Sequence, residues 1–124
     1  MDEQMAFASA TDLREMVATK KVSPVELTEL YLRRVAELDP KLNAYLTVTG
    51  DQAMESAREA EAAVTRGDEL GALHGIPVTI KDLVVTAGVP TEFGSHTRKG
   101  NIPDEDSPFV ARLKEAGAVP LGKT

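Results

Sequence analysis

A strand, a helix and a second strand follow one another in the C-terminal part of the sequence, and this order constrains the fold more than any other feature. Val78-Thr79-Ile80 is a β-branched run bounded by Gly75 and Pro77, as short buried strands are. Ser107-Pro108 is typical of a helix start, and Ala118–Leu121 again favours a strand. Strands joined by a helical crossover pair in parallel with a right-handed connection. The sequence therefore predicts an α/β fold that contains a βαβ unit.

The crossover helix and the second strand each carry a local prediction. The helix is expected to close at Gly117 and to turn three apolar residues inward, namely Phe109, Leu113 and Ala116. Pro120 lies inside the second strand, and proline has no N–H to donate to a sheet. We therefore expect that strand to be irregular, or to lie at a sheet edge, near Pro120.

Three helices are predicted upstream of the first strand. Thr11 is the expected N-cap of the first helix. Ser23-Pro24-Val25-Glu26 forms a capping box, and Asp39-Pro40 is expected to end that second helix. Asp51 opens the third helix, and Gly67 is expected to close it. Each helix has an apolar face: Leu13, Met16 and Val17 in the first, Leu27, Tyr31, Val35 and Leu38 in the second, and Ala53, Ala57, Ala60 and Val64 in the third.

The remaining segments connect these elements within a single domain. Residues 43–49 and residues 83–85 favour β structure, and residues 86–106 are predicted to form a long loop. We expect a helical region at 9–67 and the start of an α/β core, with a mixed or parallel sheet, at 72–124. A parallel strand is normally extended by neighbours, so residues 1–124 are expected to be the N-terminal part of one domain.

Composition excludes several classes of function. Lys and Arg number 14 against 20 Asp and Glu, which gives a formal net charge of −6, and no basic run exceeds two residues. Nucleic-acid binding depends on a clustered basic surface, so no direct nucleic-acid partner is expected. The sequence has no Cys, no apolar run of membrane-spanning length, and an acidic N-terminus where a leader would be basic. A cytoplasmic protein without a membrane partner is therefore expected.

Residues 73–82, with the sequence LHGIPVTIKD, resemble the start of the catalytic core of amidase-signature enzymes. The resemblance continues, in the family's order and spacing, through six further blocks: Ala87-Gly88-Val89-Pro90-Thr91, Gly94-Ser95, Pro103-Asp104-Glu105-Asp106, Val110-Ala111-Arg112-Leu113, Ala116-Gly117-Ala118-Val119 and Leu121-Gly122-Lys123-Thr124. The ordered series is a specific signal. On these residues the chain is identified as the N-terminal portion of an amidase-signature hydrolase.

The resemblance implies a mechanism and a catalytic residue. The family hydrolyses carboxamides with a Ser–cis-Ser–Lys triad, and the lysine of its IKD motif corresponds to Lys81. In that mechanism a neutral lysine takes a proton from the bridging serine, which in turn activates the nucleophilic serine. Because a free lysine has a pKa of about 10.4, such a base must be buried or hydrogen-bonded in its neutral form. The resemblance places both serines beyond Thr124, so this chain alone is expected to be inactive.

The implied partners are a small-molecule amide, the C-terminal remainder of the enzyme and a second copy of the chain. A second copy is expected because Ala118–Leu121 would present unpaired backbone and an apolar face. The triad implies no cofactor. No metal site is expected either, because His74 and His96 are far apart in sequence and lack partners at metal-ligand spacing.

Residues near Lys81 also have structural interpretations. A lysine at a strand end is often a surface residue, but the motif series favours the catalytic interpretation here. Asp82 is expected to form a turn, with orientation of the lysine or of a loop amide as the alternative. Asp106 is expected to serve the start of the following helix. Backbone geometry is the expected role of Gly75, Gly88, Gly94 and Ser95.

Two other functions compete with the amidase interpretation. Residues 117–124 match a Walker A pattern, but a P-loop follows a strand and opens a helix, whereas a helix precedes this segment. A non-catalytic interaction module is the second alternative. Within the family, the sequence Lys81-Asp82-Leu83 weighs against identity with the A subunit of the tRNA-dependent amidotransferase. It does not distinguish among the amide substrates of the other family members.

Overall fold

A computed structural model describes residues 3–124 and places the core between the helices and a small sheet. Residues 1 and 2, where the predicted 1–124 segment begins, lie outside the described residues. The elements, in chain order, are α1 (Ala10–Ala18), α2 (Pro24–Leu42), β1 (Thr47–Val48), α3 (Gly50–Arg66), β2 (Pro77–Ile80), α4 (Pro108–Glu115) and β3 (Val119–Lys123), with short 3-10 turns at Glu3–Phe7 and His96–Arg98.

The sheet is mixed and has the strand order β1-β3-β2. β2 pairs in parallel with β3, so that Ile80 lies opposite Lys123, and β1 pairs antiparallel with β3. The predicted α/β class and parallel βαβ unit are confirmed. β1 pairs only with Gly122 and Lys123 of β3, and the Thr49 N–H donates to the Leu121 carbonyl, so the expectation that Ala118–Leu121 would present unpaired backbone is corrected at Leu121 only. Self-association through residues 118–120 stays a prediction.

Pro120 lies at a position in β3 where no backbone N–H is needed for strand pairing. Val119 donates its N–H to the carbonyl of Ile76 on the β2 side at 2.8 Å. Because N–H groups alternate between the two sides of a strand, the nitrogen of Pro120 faces the opposite side, where β1 has already ended. The pairing with β2 also shifts register between Val78 and Ile80. The irregularity predicted near Pro120 is therefore confirmed.

α2 begins as predicted and ends later than predicted. The capping box is present, since the Ser23 hydroxyl accepts the N–H of Glu26 and the Glu26 carboxylate accepts the N–H of Ser23. The helix does not end at Asp39-Pro40 but continues to Leu42, where Asn43 closes it in the left-handed conformation at φ 52. A proline in the last turn removes a single backbone hydrogen bond, so the helix tolerates it there.

Two other helix predictions are wrong in detail. The N-cap of α1 is Ser9 and not Thr11, because the Ser9 hydroxyl accepts the N–H of Asp12 at 3.1 Å. In α4, Val110 is buried whereas Phe109 is 58% exposed. α4 is too short for its apolar residues to define a broad buried face, so the contact at Val110 sets its rotation.

The small-residue face of α3 packs on the sheet. The residues predicted to share this face are all buried, namely Ala53, Ala57, Ala60 and Val64. Ala53 and Ala57 contact Val119 and Leu121 of β3 in one apolar cluster. Small side chains let the helix axis approach the flat sheet closely, and Gly67 closes the helix at φ 80 as predicted.

Residues between β2 and α4 form a turn and a closed loop. Leu83–Val85 was expected to continue β structure but turns instead, with the Val84 N–H donating to the carbonyl of Lys81 at 2.8 Å. The predicted long loop then folds back on itself. Two backbone hydrogen bonds of 2.9 Å close it, from Gly88 N–H to Pro103 O and from Thr91 N–H to Asn101 O.

Replacing Ala57 by Leu should destabilise the chain by about 1–3 kcal/mol, because the added methyl groups have no room between α3 and β3. The matched control is Ala62→Leu on the exposed face of the same helix, which should change the free energy of unfolding by less than about 0.5 kcal/mol. Urea unfolding of both variants measures the difference. Equal stabilities would contradict close packing of α3 on β3.

Candidate active site

Lys81 directly follows β2, and Thr124 holds its main chain on both sides. The Thr124 N–H donates to the carbonyl of Ile80 at 3.0 Å, and the Asp82 N–H donates to the carbonyl of Thr124 at 2.8 Å. The Lys81 side chain is exposed, and its Nζ has no hydrogen-bond or ionic partner among the side chains and backbone described for residues 4–124. The chain therefore fixes the backbone of Lys81 and leaves its amine on an open face.

Asp82 is buried beside Lys81 and organises the loop. Only 4% of it is exposed, and its carboxylate oxygens accept the N–H of Glu92 at 3.1 and 3.3 Å. Its carbonyl also accepts the N–H of Phe93 at 3.3 Å, and Phe93 is held in the left-handed region at φ 57. Asp82 thus lies in the predicted turn and also orients a loop amide, which was the alternative interpretation.

Lys123 ends β3 in a buried cage of oxygen atoms. The residue is 1% exposed. Its Nζ donates to the carbonyl of Val84 at 2.6 Å and to the hydroxyls of Thr86 and Thr91 at 2.9 Å each. An ammonium has three N–H donors, so this cage satisfies all of them. The arrangement meets the requirement that a buried charge be fully hydrogen-bonded.

The two threonines are oriented to accept from Lys123. Thr86 donates its own hydroxyl proton to the carbonyl of Val84, and Thr91 donates to that of Val89, each at 3.1 Å. Their lone pairs are thereby left for the ammonium. Burial lowers the pKa of the Lys123 ammonium, and the negative charge of Asp82 opposes that effect.

Asp106 ties the loop to α4. Its carboxylate accepts the N–H of Ala87 at 2.8 Å and forms an ion pair of 2.6 Å with Lys114. The N-cap of α4 is Ser107, whose hydroxyl accepts the N–H of Val110, so the expected helix-start role of Asp106 is wrong. Burial favours the protonated acid, but the hydrogen bonds from Lys114 and Ala87 outweigh it and hold the pKa of Asp106 below its ordinary value.

Other residues singled out by sequence serve the backbone. Ser95 caps the short turn His96–Arg98 by accepting the N–H of Thr97 at 3.4 Å. Three glycines adopt the left-handed conformation, with φ of 73, 69 and 64 at Gly75, Gly88 and Gly94. These positions match the expected role in backbone geometry.

His74 has a structural contact, with its Nε2 lying 2.9 Å from the carbonyl of Ala60. Within residues 4–124, no three side chains of the His, Cys, Asp or Glu type come together as metal ligands would. In the same range of the chain, no helix combines the length and apolarity needed to cross a membrane.

Sequence reasoning missed the role of Lys123. It treated the residue as part of a motif block and of the Walker A pattern, yet the structure shows residues 119–123 as a strand whose lysine faces buried oxygens. The P-loop interpretation is therefore wrong. The available signal was a lysine at the C-terminal end of a predicted parallel strand, opposite a loop that contains Thr86 and Thr91.

The fold and the motif series together define an amidase-signature segment. The sequence profile of the Amidase family matches residues 26–124. The chain therefore belongs to the amidase family, whose members act on the carbon–nitrogen bonds of amides. This finding confirms the resemblance drawn from residues 73–124.

Similar proteins fall within the same family. A glutamyl-tRNA(Gln) amidotransferase subunit from Gloeothece citriformis is 41% identical over 118 residues, covering 95% of this chain and 24% of that protein. The subunit of the same name from Azoarcus sp. is 45% identical over 120 residues, covering 97% and 24%. The peptide amidase of Stenotrophomonas maltophilia superposes with a TM-score of 0.91 at 36% identity, over 99% of this chain and 26% of that one. The chain thus spans about a quarter of the length of the proteins it matches.

Replacing Thr91 by Val should destabilise the chain by about 1–3 kcal/mol, because one donor of the buried Lys123 ammonium loses its acceptor while the shape of the site is kept. The control is Thr11→Val on the exposed surface of α1, which should change stability by less than about 0.5 kcal/mol. Thermal unfolding of both variants compares them. A Thr91→Val variant as stable as its control would contradict the cage.

Proposed function

We propose that this chain supplies the catalytic lysine, Lys81, of an enzyme that hydrolyses a carboxamide by a Ser–cis-Ser–Lys mechanism. The observation that supports the proposal is the position of Lys81 in the family motif at the carboxyl end of a parallel strand, with its backbone fixed on both sides by Thr124. The carboxyl ends of parallel strands are where α/β folds place their functional groups. The exposed amine is then free to meet groups contributed from outside residues 3–124.

The chemistry defines what the rest of the enzyme must supply. A lysine that takes a proton from a serine hydroxyl must be the neutral amine, and burial is the physical means to achieve this. Ser95 and Ser107 are both engaged in helix capping, which argues against either as the nucleophile. The nucleophile, the bridging serine and the oxyanion donors are therefore assigned to the C-terminal remainder, which is the proposed partner of this chain.

The names of similar proteins support a carboxamide as the class of substrate. Similar proteins are named as glutamyl-tRNA(Gln) amidotransferase subunits in some cases and as peptide amidase in another, and the amide is common to both names. The relatives that carry the amidotransferase name weigh against the interpretation of Lys81-Asp82-Leu83 as disfavouring that enzyme. We propose that the substrate is a carboxamide and that the chain assembles with other subunits into a multi-subunit enzyme. We also propose a cytoplasmic location.

In a complete amidase domain that contains this chain, Lys81→Ala should lower kcat by several orders of magnitude, because the base acts in the chemical step. The exposed Lys81 side chain has no structural partner among residues 4–124, so the melting temperature should remain close to that of the parent. Steady-state hydrolysis of an aryl amide and thermal unfolding measure the two effects. A variant that keeps a tenth of the parent kcat would show that Lys81 is not the base.

The purified chain alone should not cleave an aryl amide, and hydrolysis should appear when the C-terminal remainder of an amidase domain is added in trans. The reason is that acyl transfer requires a nucleophile and oxyanion donors in addition to a base. The matched control is the same mixture made with the Lys81→Ala chain, which should stay inactive. Turnover by the isolated chain would contradict the proposed division of the site, and activity of the control mixture would contradict the role of Lys81.

A further inference from the structure

Lys123 is a buried cation that the proposed chemistry does not use. Burying an ion costs several times the free energy of a typical hydrogen bond, and an apolar residue of similar volume is often equally stable in such a place. The cage offsets this cost with three short hydrogen bonds. A lysine at the end of β3 therefore calls for an explanation other than filling the core.

All three acceptors of Lys123 belong to the segment that leaves Lys81. Val84 contributes a backbone carbonyl from the turn directly after Lys81, and Thr86 and Thr91 contribute hydroxyls from the loop behind it. The Lys123 side chain thus binds the segment Val84–Thr91 through three hydrogen bonds. Removal of the ammonium would break these three hydrogen bonds at once.

Thr124, which directly follows β3, holds the main chain on both sides of Lys81. Thr124 accepts from the Asp82 N–H and donates to the Ile80 carbonyl, the two residues that flank Lys81. The strand side and the loop side of Lys81 are therefore fastened by consecutive residues at the end of β3. A shift of β3 by a fraction of an ångström would move both attachments together.

Asp82 completes the arrangement electrostatically. Its buried carboxylate attracts the ammonium of Lys123 and accepts the N–H of Glu92 farther along the loop. The geometric link between the turn and the loop is the pair of hydrogen bonds that the Asp82 carboxylate accepts from the N–H of Glu92. Lys81 directly precedes Asp82 and shares this sheet edge with the pair.

We propose that Lys123 is a positioning residue for Lys81: by holding the Val84–Thr91 segment, its ammonium fixes the direction in which the Lys81 side chain leaves the sheet. The inference rests on the proposed function, in which Lys81 is the base. Proton transfer depends on heavy-atom distances near ~3 Å, so a small displacement of the base lowers kcat more than it lowers substrate binding.

The test uses a complete amidase domain that contains this chain. Lys123→Met should lower kcat by roughly 100-fold, with KM changed by less than about threefold, at a temperature where unfolding measurements show the variant to be folded. The control, Lys41→Met on the exposed surface near the end of α2, should leave both parameters unchanged. A folded Lys123→Met enzyme with parental kcat would overturn the inference.

A second pair of measurements separates positioning from stability. If Lys123→Met does not fold, Thr91→Val and Thr86→Val decide, because each removes one contact of the ammonium. Both should lower kcat without raising KM, and parental kcat in both would overturn the inference. Where Lys123→Met does fold, adding it to Lys81→Met should cause no further loss in the residual hydrolysis of an activated ester, because it acts through Lys81. A full additional loss would overturn the inference, whereas a Lys81→Met enzyme that keeps the parental kcat for an amide would overturn the proposed function itself.

Discussion

The parallel pairing of β2 with β3 is the interaction on which the rest of the structure depends. It joins segments that the whole 86–106 loop and α4 separate in sequence, and it aligns their carboxyl ends so that Ile80 lies opposite Lys123. Without that register, the Asp82 N–H could not reach Thr124 and the ammonium of Lys123 could not reach Val84. β1 and α3 then pack against β3 from its other edge and from one face.

Two lysines at this sheet edge have opposite environments. Lys123 is enclosed, because β3 is the central strand and the loop folds over its end. Lys81 is exposed, because β2 is an edge strand in this sheet and its side chain leaves on the open face. The position of each strand in the sheet decides which of the two lysines is buried, since β3 is the central strand and β2 is an edge strand.

The buried polar groups around Lys123 form a network in which nearly every member is satisfied. Thr86 and Thr91 donate to carbonyls and accept from the ammonium, and the Asp82 carboxylate accepts the N–H of Glu92 in the same loop. Such networks are costly when incomplete and rigid when complete. Because this network is nearly complete, it is expected to make the turn that follows β2 rigid.

Local signals in the sequence determined the helices, because capping and amphipathic faces act within a few residues. The Ser23 capping box, the small-residue face of α3 and the Gly67 stop are all as the sequence predicts. The family motif pointed to Lys81 as the base, and that role stays a prediction. Tertiary structure alone decided that β3 is central, that the carboxylate of Asp82 holds Glu92, and that Lys123 is buried among loop oxygens. The physical reason is that each of these contacts joins residues distant in sequence, and their energies exist only once the parallel register has formed.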